Sequence, residues 1–173
     1  TTVAATIERA DPRDVLLVRR DVARARPGTL RALTSSPRRV WQLETSGAAL
    51  MPGPVTRWHA TAVRGNIPTR LRKLTSGEGD ALVVAKAALD RLLSDDAPAD
   101  TVTIVRSALS ECRWMVLPLS AFPTAPAQGA LALEVADGRA DVHRVVSAIN
   151  DRATWNAVAR ERDILRSFGG GCR

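Results

Sequence analysis

Short apolar blocks punctuated by turn signals dominate the chain. Residues 15–18 (Val-Leu-Leu-Val), 29–33, 58–63, 81–85 and 131–135 each read as a strand, because apolar and β-branched residues run continuously or alternate between Gly, Pro, Asn, Asp or Ser. The stretches between them switch to helical spacing. After residues 29–33, Ser36 is a good N-cap. Pro37 suits the first helical position, where its missing N–H costs nothing. The helix is expected to run to about Glu44 with Val40 and Leu43 facing inward. The next unit repeats the logic: Asn66 caps, Pro68 sits in the first turn, Leu71 and Leu74 lie one turn apart, and Gly77 ends the helix. Residues 87–93 begin another helix, 94–100 form a polar loop, 115–119 are apolar, and 142–168 are mostly helical with a break near Asn150-Asp151.

Strand, helix, strand, helix at this spacing implies a parallel α/β sheet, in which ligands bind beyond the carboxyl ends of the strands. Arg38-Arg39 and Arg64/Arg70 both fall at those ends. Residues 64–80 place Arg64, Arg70, Arg72 and Lys73 around a helix start with little opposing charge before Glu78. A cationic helix N-terminus suits an anion, because its unpaired backbone N–H groups point outward. Arg26-Pro27-Gly28 reads as a boundary or hinge, Asp11-Pro12-Arg13-Asp14 as a turn, and the Pro/Gly-rich residues 122–129 as a crossing between domains.

Composition narrows the choice of anion. At 173 residues and 45% hydrophobic, the chain holds one or two compact domains with a real core. No apolar run reaches membrane-spanning length, and Glu8, Asp11 and Asp14 interrupt any signal-like pattern, so a cytoplasmic, membrane-independent protein is expected. The net charge of +7 favours acidic partners. Only Lys73 and Lys86 are lysines; the remaining basic residues are arginine, which composition alone explains better by a GC-rich genome than by bidentate recognition of carboxylate or phosphate. His59 and His143 lie far from Cys112 and Cys172, so no metal site is expected. Cys112 reads as a small buried hydrophobe. Cys172 follows Gly169-Gly170-Gly171, a run that serves as a helix C-cap or as a loop that approaches a ligand closely.

Five motifs, in order, resemble the porphobilinogen deaminase (hydroxymethylbilane synthase) family. They are Thr34-Ser35-Ser36-Pro37-Arg38-Arg39 with Gln42-Leu43; Arg64-Gly65-Asn66-Ile67-Pro68-Thr69-Arg70-Leu71-Arg72-Lys73-Leu74; Gly77-Glu78-Gly79-Asp80-Ala81; Ala125-Pro126-Ala127-Gln128-Gly129 through Glu134; and Glu161-Arg162 leading to Gly170-Gly171-Cys172. The resemblance implies a transferase of tetrapyrrole biosynthesis that joins four porphobilinogen units head to tail and releases ammonia. It implies a dipyrromethane cofactor in thioether linkage to Cys172, its carboxylates held by Ser36, Arg38, Arg39 and Arg70, with Arg64, Arg70 and Arg91 receiving substrate. The partners it implies are porphobilinogen and the growing polypyrrole, with no nucleic acid, and a monomer at full length. Its fold would be α/β, a periplasmic-binding-protein-like pair of lobes around a cleft, with the first lobe incomplete and the second nearly complete, plus the start of a small α+β third domain. Residues 1–26 and 118–135 would belong to the first lobe, 27–117 to the second and 136–173 to the third domain.

The departures from the family pattern are local. Leu33 stands where the family usually has glycine, Pro37 for leucine, Gly79 for tyrosine after Gly-Glu, and Ala88 for glycine. The family's His-Ser-x-Lys-Asp-x-Pro motif, with its catalytic aspartate, is not found, so no catalytic residue is assigned, and the chain reads as an internal fragment inactive by itself. The rival reading is a non-catalytic anion- or nucleic-acid-binding α/β module. Against nucleic acid stands the scarcity of stacking aromatics: no Tyr, two Phe and four dispersed Trp. Against reversible solute binding stands the Gly-Gly-Cys ending.

Overall fold

The computed structural model describes residues 1–25, 27–50 and 57–169. The expected hinge residue Arg26 and the motif ending in Cys172 lie outside them. The chain forms two compact units. One comprises residues 13–124, the other residues 1–12 together with 125 onward.

The larger unit is built on a five-stranded mixed sheet. Its strands are β2 (Asp14–Arg19), β3 (Thr29–Leu33), β4 (Arg57–Thr61), β5 (Ala81–Ala85) and β6 (Cys112–Val116), in the order β4-β3-β5-β2-β6. β3 pairs in parallel with β4 and β5, as expected, but β2 runs antiparallel to both β5 and β6. The expectation of an all-parallel sheet is therefore corrected. Apolar alternation reports which face a residue lines but not which way its strand runs. β2 sits inside this sheet, between β5 and β6, so Asp14–Arg19 is part of the larger unit.

Alternation along the buried strands feeds two cores. Val15, Leu17, Leu82 and Val84 point to one face. There they meet Leu71 and Leu74 of α3 (Ile67–Thr75), Leu89 of α4 (Lys86–Leu93) and Val105 and Ala108 of α5 (Ala99–Ser110). Leu16, Val18, Ala81 and Val83 point to the other face, against Val22 of α1 (Arg20–Ala25), Leu43 of α2 (Pro37–Ser46), Trp58 and Phe122. The result is a helix–sheet–helix sandwich whose β3, β4 and β5 carboxyl ends share one edge. The expected 94–100 loop ends sooner than anticipated, since α5 begins at Ala99.

Leu33 and Gly79 share one space in this core. A Cβ on Gly79 would lie 2.5 Å from Cγ of Leu33, so leucine at 33 occupies the space that any side chain at 79 would enter.

In the smaller unit β1 (Thr2–Thr6) pairs antiparallel with β7 (Ala132–Val135), and both strands pack against α6 (Ala140–Ser147). The expected break near Asn150-Asp151 is present. Asn150 Oδ1 accepts from Thr6 N at 2.8 Å. Asp151 caps α7 (Arg152–Ser167) by accepting from Thr154 N at 2.7 Å, which holds its carboxyl below the usual range. Arg9 grips Glu161 through both terminal nitrogens, at 2.5 and 3.0 Å, and Glu161 also accepts from Ala127 N at 2.8 Å. Burial pushes the Glu161 carboxyl up, but the Arg9 and Ala127 hydrogen bonds and the Arg9 charge together hold it below its ordinary value. The 125–129 motif is thereby tied to helix α7, with Ala127 in the left-handed region at φ 62°. Gly169, the first residue of the glycine run, follows the end of α7 and donates its N–H to Arg166 O at 3.0 Å. That is the capping geometry anticipated for it.

Candidate anion site

Two helix starts meet at the carboxyl edge of β3 and β4. Ser36 caps α2 with extended backbone, its Oγ accepting from Arg39 N at 3.5 Å, and Pro37 occupies the first turn. Asn66 caps α3 by accepting from Thr69 N at 3.0 Å. The two loops are stitched together. Thr34 N donates to Thr61 O at 3.0 Å. Ser35 Oγ donates to Val63 O at 2.7 Å and accepts from Val63 N at 2.9 Å. The β3–β4 ladder is thus extended by a side chain past the last strand residue.

At the α2 start, Arg38 and Arg39 converge on one carboxylate. Asp14 opens β2 directly across from Ala85, the last residue of β5, and is fully buried at 0% exposure. Its Oδ2 accepts from Arg38 Nη2 at 2.8 Å and its Oδ1 from Arg39 Nη2 at 2.7 Å. Arg38 Nη1 also donates to Gln42 Oε1 and to Pro123 O, both at 2.8 Å, and its guanidinium lies 6.0 Å from the Phe122 ring centroid. Arg39 Nη1 donates to Val83 O at 3.3 Å, while its Nε is buried with no partner among the described residues. The two arginine side chains are 23% and 13% exposed, so their remaining edges still reach the surface.

The α3 start is different. Arg64 is exposed and has no partner among the described residues. Arg70 donates Nε to Gly65 O at 2.8 Å, which aims the side chain back over the helix start and leaves both terminal nitrogens without a partner among the described residues. Gly65 makes this turn possible: its φ of +106° lies in a region that a side chain resists, and a Cβ there would meet Thr69 Cγ2 at 2.8 Å.

Four of the expected residues, Arg38, Arg39, Arg64 and Arg70, therefore stand at one edge, with Ser36 as the cap between strand and helix. Arg72 and Lys73 do not join them; they occupy the last turn of α3, where Lys73 pairs with Glu78 at 3.5 Å. Arg91 lies exposed in the last turn of α4. Cys172 lies outside the described residues. Cys112 is buried, and burial raises its thiol to about 11, so it stays protonated and inert. Sequence reasoning missed Asp14 and Ser35. Asp14 had been absorbed into a turn signal. The clue was an acid placed directly ahead of a fully apolar strand.

Residues 1–144 match the family model for the porphobilinogen deaminase, dipyromethane cofactor binding domain. The chain belongs to the porphobilinogen deaminase family. It is 37% identical over 172 residues to a porphobilinogen deaminase of Mycobacterium leprae, and 37% over 171 residues to one of Mycolicibacterium gilvum. It is 38% identical over 172 residues to one of Mycobacterium tuberculosis. These matches take in 98–99% of this chain and 47–48% of those proteins, so the chain spans about half the length of the curated relatives it matches. A solved structure from work on glutathione import in Gram-positive bacteria has a TM-score of 0.45 at 11% identity, covering 96% of this chain and 63% of that one, a likeness too slight to define the fold. The donors at the edge fit the family's dipyrromethane: guanidiniums, a hydroxyl and helix-start N–H groups are the chemistry that carboxylate-bearing pyrroles require. Among the described residues no helix is long and apolar enough to cross a membrane.

Proposed function

We propose that the natural protein is a hydroxymethylbilane synthase, joining four porphobilinogen units head to tail on a dipyrromethane primer with release of ammonia. The observation that carries this reading is the grouping of Arg38, Arg39, Arg64 and Arg70 at one sheet edge, two held by a buried aspartate and two whose terminal nitrogens have no partner among the described residues. Ser36, Arg38, Arg39 and Arg70 would hold the cofactor's carboxylates, and Cys172 would carry it through a thioether. When bound, the dipyrromethane supplies the terminal pyrrole carbon to which each new unit is joined. Arg64, Arg70 and Arg91 would receive the acetate and propionate of incoming porphobilinogen. Each charge-assisted hydrogen bond contributes about 1.5–3 kcal/mol, so several together retain a polyanion between turnovers.

Asp14, the carboxylate at this edge, faces two guanidiniums, and Asp80, at the amino end of β5, accepts from Arg31 N at 2.8 Å. Neither is assigned a proton-transfer role. The fold reading that goes with this function is the two-lobed, periplasmic-binding-protein-like one. Residues 13–124 would be the nearly complete second lobe. The smaller unit would supply part of the first lobe and the start of the third domain, and the protein would act as a cytoplasmic monomer.

Intact mass spectrometry of the natural gene product, with a porphobilinogen-consumption assay, tests this. A dipyrromethane-sized adduct on Cys172 and turnover are expected. An unmodified Cys172 in protein that consumes no porphobilinogen would contradict the reading.

A further inference from the structure

We propose that Asp14 is a positioning residue of the anion site, a buried brace that fixes the guanidinium groups of Arg38 and Arg39 in the orientation that receives carboxylates. The identity of the ligand rests on the function proposed above; the brace itself does not.

A carboxylate beside an anion site is unexpected on charge alone, since it weakens attraction for the ligand. Asp14 is nevertheless placed there with no solvent contact, and each of its oxygens takes one guanidinium. A buried carboxylate persists only where it is paired and hydrogen-bonded, so the two arginines and Asp14 fix one another. Each arginine is also held at a second point. Arg38 reaches Gln42 Oε1 and Pro123 O, and Gln42 Nε2 donates to the same Pro123 O at 2.6 Å. Arg39 reaches Val83 O. The Arg39 Nε–H, buried without a partner among the described residues, shows that the orientation is set by these anchors rather than by full satisfaction of the guanidinium. Free arginine side chains lose much rotamer freedom when they close on a ligand; these two have lost it already.

Two roles for Asp14 thus give opposite signs. As a mere counter-charge it opposes the ligand, and its removal would strengthen binding. As a brace it orders the donors, and its removal weakens binding. The experiment uses the natural gene product. First, guanidinium nitrogen NMR on the unmutated protein should show resolved, slowly exchanging Nη protons for Arg38 and Arg39 and averaged ones for Arg64. Averaged signals for all three would overturn the brace. Second, apo-protein incubated with porphobilinogen should gain adduct mass roughly 10- to 100-fold more slowly as Asp14→Asn, the scale on which misplaced binding groups act. An unchanged or faster gain in a folded variant would overturn the proposal. If the unmutated apo-protein gains no adduct, the assigned function fails and the NMR result alone decides the brace. It decides equally if Asp14→Asn does not fold.

Discussion

The starts of α2 and α3 offer the same chemistry to the same edge but hold it differently. Both are capped by a short polar side chain, both carry proline in the first turn, and both present two arginines. At α2 the guanidiniums are half-buried and fastened to Asp14 and to backbone carbonyls. At α3 one guanidinium is exposed and the other is, among the described residues, tethered through Nε alone. A fixed pair suits a group that stays on the protein through many turnovers. An open pair suits a group that arrives and moves on. The difference originates in sequence distance: Asp14 lies on a strand running against its neighbours, which brings its first residue to the edge where theirs end.

The sharpest way to break this contrast is to substitute one arginine from each pair. Arg39→Gln leaves Asp14 buried with a lost partner and is expected to destabilise the protein by roughly 3 kcal/mol in urea unfolding. Arg64→Gln should change stability by no more than about 0.5 kcal/mol, while raising the KM for porphobilinogen. Equal stability losses would erase the distinction between a fixed and an open pair.

The seat of the fixed pair can be tested next. Leu33 ends the strand that leads into α2, and Gly79 leaves room for it. Gly79→Ala should cost about 1–3 kcal/mol from overpacking, and the loss in the double variant with Leu33→Ala should fall short of the sum of the two single losses. Additive losses in the double variant would show that the two positions do not share one space. The stitch between the two loops is worth less. Ser35→Ala removes both hydrogen bonds to Val63 and should cost about 1 kcal/mol in thermal or urea unfolding. No change would mean that the loops are held by the strands alone.

The smallest effect lies in the other unit and separates its ion pair from the Asp14 pair. Glu161 has a native value held below its ordinary 4.5. A lowered native value means that the unfolded chain binds the proton more readily. Its stabilisation is therefore present above 4.5 and is lost as pH falls through the native value. The stability difference between the native protein and Glu161→Gln should shrink on acidification through that range; a difference that stays constant would contradict the assigned ion pair.

Much of this was legible from local pattern. The Ser36-Pro37 and Asn66 helix starts, the strand at 81–85 and the break at Asn150-Asp151 depend on caps, φ constraints and periodicity within a few residues, and they stand where these signals put them. What depended on distant pairing was not. β1 was missed, because its partner lies more than a hundred residues away. Helix α5 was missed, because Thr101, Val102, Thr103, Ile104 and Val105 form a β-branched run of low helix propensity, overridden by packing against α3 and α4. The orientation of β2 was missed for the same reason as the role of Asp14. The arginines were visible as charges, and the residue that makes two of them different from the other two was visible only in three dimensions.

The most direct test is a crystal structure of the natural protein carrying its cofactor. Cofactor carboxylates within hydrogen-bonding distance of Arg38 and Arg39, with Asp14 still bridging both guanidiniums, are expected. Carboxylates bound elsewhere, or guanidiniums that have left Asp14 to reach them, would contradict the division between a fixed and an open arginine pair.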